Sequence, residues 1–159
     1  MRRPVQLIVG VILAGLVAGG PSLFAQAKAP AAKGRVIEMT GNDQMQYNVT
    51  AVKAKPGEVL TVRLTTIGKI PKFAMAHNFV LLTKGSDPKA FADKAISAKA
   101  SEYIPAELKK QIIAHTGMAG PGETVEVTFK APTAAGKYDY LCSFPGHFAA
   151  GMKGVLTVG

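Results

Sequence analysis

The stretch Cys142-Ser143-Phe144-Pro145-Gly146-His147-Phe148-Ala149-Ala150-Gly151-Met152 constrains this chain more than any other. It holds the only cysteine among 159 residues, one of three histidines, and a methionine. A thiolate, an imidazole and a thioether form a soft, mixed-donor set. Such a set suits copper in both oxidation states far better than magnesium or calcium. Pro145 and Gly146 permit a sharp turn that returns His147 towards Cys142. The loop thus offers three donors in the spacing C-x4-H-x4-M but lacks a second imidazole. His77, in an apolar run far upstream, supplies one, so the fold must bring these two segments together.

Each donor alone has a plainer reading. A lone cysteine is more often a buried core residue than a ligand, and a single methionine is usually core. A histidine on an apolar strand is ordinarily a satisfied core histidine. Agreement among four positions outweighs these readings. Met39, Met45, Met75 and Met118 read as core, turn or patch residues, and His115 as a surface or structural histidine that no donor spacing recruits. In an exported chain a single cysteine cannot form an internal disulfide, and burial or capture by a metal protects it.

Export is read from the first residues. Met1-Arg2-Arg3 precedes an uncharged apolar run, Leu7 to Ala18, and Ala25-Gln26-Ala27 offers small residues for cleavage. Residues 1–27 are expected to be a signal peptide for the general export route, which places the mature protein in the periplasm. An uncleaved leader acting as a membrane anchor is the alternative. The run is short for a span and no second one follows, so no stable insertion is expected after cleavage. Residues 28–33 read as a flexible tail, and residues 34–159 as one domain.

Losing Arg2 and Arg3 leaves 17 of the 19 basic residues against 10 acidic ones, a net charge of +7. The lysines are scattered, tryptophan is missing and aromatics are few, which argues against nucleic-acid binding. The charge suits acidic protein partners or anionic membrane surfaces; a solvated face with no particular partner is the bland alternative.

Period-2 alternation predicts strands over Ile37–Thr40 and Tyr47–Ala51, and VLTVRLTT (59–66) is a strong β-branched run. Strand character resumes at Asn78–Leu82, directly after His77, and returns at 112–116, 124–130, 138–142 and 154–158. Ser86-Asp87-Pro88 starts a helix expected to run to about Ala100, and AELKKQ after Pro105 a second short one. Many short strands with turn signals between them read as an all-β sandwich or barrel with a helical insertion outside the sheets.

The segments Gly41–Gln46, Met75–Leu81, Ile113–Thr116, Phe144–His147 and Met152–Gly154 resemble the azurins, bacterial blue-copper electron carriers of the cupredoxin family. The likeness covers essentially the whole mature chain, in order. It implies a Greek-key β-sandwich with a short helical insertion on its outside. It also implies one type 1 copper held strongly by His77, Cys142 and His147 and weakly by Met152, with the backbone carbonyl of Ala76 opposite the methionine. Ala76 stands where azurins usually have glycine. Four residues, Phe148 to Gly151, separate His147 from Met152, as in plastocyanins and auracyanins; azurins usually have three. Gly151 is expected to absorb the extra residue, and Met152 still to bind at an altered distance. The N-terminal disulfide general in azurins is missing.

By the same resemblance, Asn78 is expected to hydrogen-bond towards Ser143, and the backbone N–H groups of Asn78 and Phe144 to point at the Cys142 sulfur. His147 is expected near the surface with one ring edge exposed, inside an apolar docking patch of Phe148, Ala149, Ala150 and Met75. The implied partners are redox proteins such as cytochromes or a copper or haem enzyme, met briefly by a monomer through a small interface. A copper-handling chaperone or storage protein would use the same donors. A redox enzyme domain would need more copper-binding histidines than this chain's three in all. No nucleophile with a base and no carboxylate pair is legible, so the chain does not read as an enzyme.

Overall fold

A computed structural model describes residues 34–159; the expected leader and tail lie outside the described residues. Eight strands form two sheets. β1 (Arg35–Gly41), β3 (Val59–Thr66) and β6 (Thr124–Lys130) make a three-stranded sheet in the order β1-β3-β6. β2 (Ala51–Ala54), β8 (Lys153–Val158), β7 (Gly136–Leu141), β4 (Val80–Leu82) and β5 (Ile112–His115) make a five-stranded sheet in the order β2-β8-β7-β4-β5. β1 runs parallel to β3 and β2 parallel to β8, while the remaining pairs are antiparallel. This is the expected all-β Greek-key sandwich with one short helix.

Alternation explains the smaller sheet. Ile37, Met39, Leu60, Val62 and Leu64 point into the core. On the opposite face the register sets Glu38, Arg63 and Glu126 side by side, and Arg63 pairs with both carboxylates. Thr61 and Thr65 meet Thr128 and Thr124 through hydroxyl contacts of 2.8 Å each.

The larger sheet differs because its outer face is covered. Phe79, Leu81, Tyr140 and Cys142 face the space between the sheets, whereas Val80, Leu82 and Leu141 face outward onto Phe91 and Ile104 of the insertion. β4 is therefore buried on both sides and lacks the alternation of a half-exposed strand.

The insertion begins with α1 (Pro88–Ala95), where Asp87 Oδ1 accepts from the N–H groups of Lys89 and Ala90 at 2.8 and 3.2 Å. The helix ends at Ala95, short of the expected Ala100, because only Phe91 and Ala95 reach the core and Ile96 is exposed. Lys99–Ser101 and Ala106–Gln111 form 3-10 turns. Between them Glu102 and Tyr103 adopt positive φ angles of 53° and 62°. The strand expected over Tyr47–Ala51 starts only at Ala51. Tyr47 makes one bridge to Gly41 and sends its hydroxyl to the Asn78 carbonyl, while the Asn48 side chain caps the Thr40 N–H at 2.6 Å. These contacts divert the backbone from the sheet.

Candidate metal centre

Strand parity aims the upstream histidine. His77 shares the inward face of Phe79 and Leu81, and a two-bond bridge fixes it: its N–H reaches the Ala119 carbonyl at 3.0 Å, and its carbonyl accepts from Ala119 at 2.8 Å. Cys142 directly follows β7 and faces inward, with its N–H on the Met152 carbonyl at 3.1 Å. The intervening loop coils tightly. His147 N–H bonds the Phe144 carbonyl at 3.1 Å, Ala150 the Gly146 carbonyl at 3.0 Å, and Met152 the His147 carbonyl at 2.9 Å. Gly146 and Gly151 carry φ angles of +84° and +101°, so Gly151 takes the unusual conformation expected of it.

The result is convergence. His77 Nδ1 lies 3.2 Å from His147 Nδ1, which lies 3.4 Å from Cys142 Sγ. One ligand atom from each residue falls within 4.8 Å of the others, and all three residues are buried. Two donors bound at about 2.0–2.3 Å and about 110–120° apart stand roughly 3.3–3.8 Å from each other. The spacings of 3.2 and 3.4 Å lie close to that requirement, so the residues present fit a soft metal ion. Met152 is fully buried beside them; a Cβ on Gly41 would come within 2.9 Å of Met152 Cε and 2.7 Å of the His77 ring. Only a glycine lets the β1 backbone lie against both side chains. The Ala76 carbonyl oxygen sits 3.9 Å from Cys142 Sγ, so it is directed at the same place.

Polar contacts hold the donors still. Asn78 Nδ2 donates to Ser143 Oγ at 2.8 Å, and the Ser143 N–H donates to Asn78 Oδ1 at 2.8 Å. This reciprocal clamp joins the His77 and Cys142 segments as expected. The backbone N–H groups of Asn78 and Phe144 also act on the Cys142 sulfur, favouring its thiolate. His77 Nε2 is buried and forms no hydrogen bond. The Asn42 carbonyl and the Asp43 carboxylate still act on that ring electrostatically, from the loop that packs against it.

Burial dominates the protonation chemistry. It pushes the Cys142 thiol up to about 12, against the two N–H groups. It lowers both imidazoles, and His147, further disfavoured by His77, falls to about 4. At neutral pH the metal-free protein therefore holds a protonated thiol and two uncharged imidazoles. Uptake of copper(II) at neutral pH should release about one proton, from Sγ, and the count should climb with falling pH later than for two ordinary imidazoles. Calorimetric titration in buffers of different ionisation enthalpy measures it. A count climbing towards three by pH 5.5 would mean that the imidazoles titrate at ordinary values. The sign for stability follows: with folded-state values below 6.5, the metal-free fold loses stability as pH falls from 6.5 towards 4.

One expectation about the surface needs correction. His147 is only 1 % exposed, so it presents no open ring edge. The Phe144 ring packs 4.7 Å from it and is itself covered by Tyr103 at 5.1 Å, held there by the left-handed turn of the insertion. Ala149 and Ala150 are exposed, but Phe148 and Met75 are half-buried. Phe148 packs on the outer cluster of the larger sheet and carries Lys153 Nζ at 4.7 Å from its ring centre. Large exposed apolar side chains stand on the loop before His77: Phe73, which lines a cleft with Ala76 and Phe144, is 84 % exposed, and Ile67 and Ile70 precede it in the chain. Sequence reasoning also missed the covering role of Tyr103. No spacing in the insertion signals it, because the strained turn at Glu102-Tyr103 is what aims the ring.

Comparison with known proteins agrees with this geometry. A family model described as copper binding proteins, plastocyanin/azurin family, matches residues 35–159. Azurin-2 of Alcaligenes xylosoxydans xylosoxydans is 45% identical over 122 residues, covering 74% of this chain and 92% of that protein. The azurin of Pseudomonas aeruginosa is 37% identical over 125 residues, covering 77% and 83%. Among solved structures, dithionite-reduced auracyanin of Roseiflexus castenholzii aligns with a TM-score of 0.69 at 35% identity, over 78% of this chain and 96% of that one. Auracyanin A of Chloroflexus aurantiacus, a "blue" copper protein, gives 0.66 at 34% identity, over 79% and 98%.

Proposed function

Because this chain belongs to the plastocyanin/azurin family of copper-binding proteins and is an azurin-type blue-copper electron carrier, we propose that it works in the periplasm, shuttling single electrons between redox proteins. The leader, residues 1–27, is removed on export, and residues 34–159 carry the function as a monomer. His77, Cys142 and His147 would hold the copper, with Met152 as a weak fourth ligand and the Ala76 carbonyl as a further weak contact. The bound copper supplies a one-electron change between Cu(II) and Cu(I).

The observation that carries this reading is a buried, soft donor set already converged within 4.8 Å and tied together by the Asn78–Ser143 clamp. Residues held in one arrangement move little when the charge at the centre changes, so the barrier to electron exchange stays low. The same burial excludes water and external ligands. It also opposes metal release, which disfavours the rival reading of a copper chaperone or store. The partners, cytochromes or a copper or haem enzyme, meet the protein at Phe148, Ala149, Ala150 and Met75, around the loop that carries His147. The small apolar contact suits a complex that must separate after each transfer.

The visible and electron-spin spectra after addition of one equivalent of copper(II) test the proposal. An intense blue band with narrow hyperfine splitting, bleached by reductant and restored by oxidant without loss of metal, is the expected result. A pale, loosely held copper would sink the carrier reading and favour copper handling.

A further inference from the structure

The strand registers separate the charges of the domain into two unlike ends. Arg35 begins β1 opposite Leu60, and Lys130 ends β6 opposite Val59. Lys53, Thr157 and Lys137 form one exposed row across β2, β8 and β7, and residues paired across a sheet share a face. The Arg35 guanidinium donates to the Lys53 carbonyl at 2.6 Å, so the two sheets meet at this end. Lys55 follows β2, and Lys84 donates to the Ala135 carbonyl in the turn before β7. All of these lie at the opposite strand ends from Gly41 and Cys142, which touch the metal centre.

Among the described residues this end carries Arg35, Lys53, Lys55, Lys84, Lys130 and Lys137, with Lys109 and Lys110 in the turn that leads into β5, against Glu58, Glu107 and Asp87. Glu58 is already engaged, by Arg35 at 2.7 Å and the Lys55 N–H at 2.8 Å, and Lys53, Lys55, Lys130 and Lys137 form no ion pair. Arg35, Lys53, Lys55 and Glu58 line an open cleft of about 310 Å³. The metal end is close to balanced: Lys69, Lys72, Lys99 and Lys153 alternate with Asp43, Glu102 and Glu123, and Lys72 is paired with Glu123.

We propose that the cationic end, opposite the metal centre, is a docking face for anionic phospholipid headgroups, which holds the copper end outward. The charge complementarity is local and unpaired, which a merely soluble basic surface does not require. The position of the N-terminus points the same way. Gly34 packs against Val59 at this end, so the preceding chain, with its uncharged apolar run Leu7–Ala18, joins the domain here. The face that emerges beside the membrane is thus the one built to rest on it. The binding is peripheral and electrostatic. An acidic protein partner would find no such bias in favour of the end remote from the copper.

Flotation of the copper-loaded, exported protein with phosphatidylcholine vesicles containing phosphatidylglycerol, against pure phosphatidylcholine, tests this. Each lysine near such a surface contributes about fivefold in partition. The combined variant Lys53→Gln, Lys55→Gln, Lys137→Gln should therefore bind about a hundredfold less. Lys69→Gln, Lys72→Gln, Lys99→Gln, with the same charge change at the metal end, should bind within about threefold of the parent. Both variants must keep the blue band, which separates misfolding from lost docking. Equal losses in both variants would overturn the proposal, as would binding indifferent to salt and to phosphatidylglycerol. Binding to a soluble acidic polypeptide without any partition onto the phosphatidylglycerol vesicles would assign the face to a protein partner instead.

Discussion

Replacing Cys142 by serine is expected to abolish the intense blue absorption and to weaken copper binding by at least about a hundredfold. Loss of a group that merely supports a metal ligand costs about 10–100-fold, and Cys142 is placed to be a ligand itself. The band requires a sulfur-to-copper charge transfer that a hydroxyl cannot supply. Its oxygen is also harder than the two imidazoles beside it, so the site would lose its preference for copper over other ions. Cys142 is fully buried with its sulfur facing Ala76 and His147. A serine hydroxyl there would add about 1–3 kcal/mol of desolvation cost if unpaired. Circular dichroism on the metal-free variant separates that cost from the loss of the ligand, and visible absorption reads the site. A retained blue band in Cys142→Ser would refute the proposed ligand set.

Met152→Leu should have the second-largest effect, and on a different quantity. The two side chains have similar volume, so the substitution costs less than about 1.5 kcal/mol in this closely packed position. Copper should stay bound through His77, Cys142 and His147. The thioether donates more to Cu(II) than to Cu(I), so its removal raises the reduction potential. A tenfold loss of that bias corresponds to about 59 mV for one electron, and a rise on the order of 60 mV or more is expected by voltammetry. Potential and spectrum both unchanged would mean that the fourth residue of the loop has already moved the methionine off the metal.

The donors were legible because their chemistry is rare: one cysteine, a histidine separated from it by four residues that include the turn, and a methionine at the same spacing again. The alternating strands were legible for the same physical reason that they form, since one face of each meets the core. β4 was recognisable only as an apolar run, because a strand covered by the insertion on one side and the core on the other has no alternation to display. The buried state of His147 was not legible at all. It depends on Tyr103 reaching Phe144 from a turn whose positive φ angles nothing in the local composition announces. The exposed Phe73 escaped notice because its neighbours, Pro71 and Lys72, mark a loop without saying which side chain stands outward.

The parallel pairing of Ala51–Ala54 with Val155–Val158 has a bearing on biogenesis. β8 follows every other strand in the chain, yet β2 near the beginning of the domain has no hydrogen-bonded neighbour besides it. Contacts so distant along the chain carry a large loop-closure cost and form late. On the proposed export route, a chain threading through a translocation pore cannot complete the larger sheet until β8 has emerged. Cys142, His147 and Met152 lie immediately ahead of that strand, so the pocket and the sheet close in one event. The folded metal pocket and the last strand of the larger sheet are thus products of the same late step.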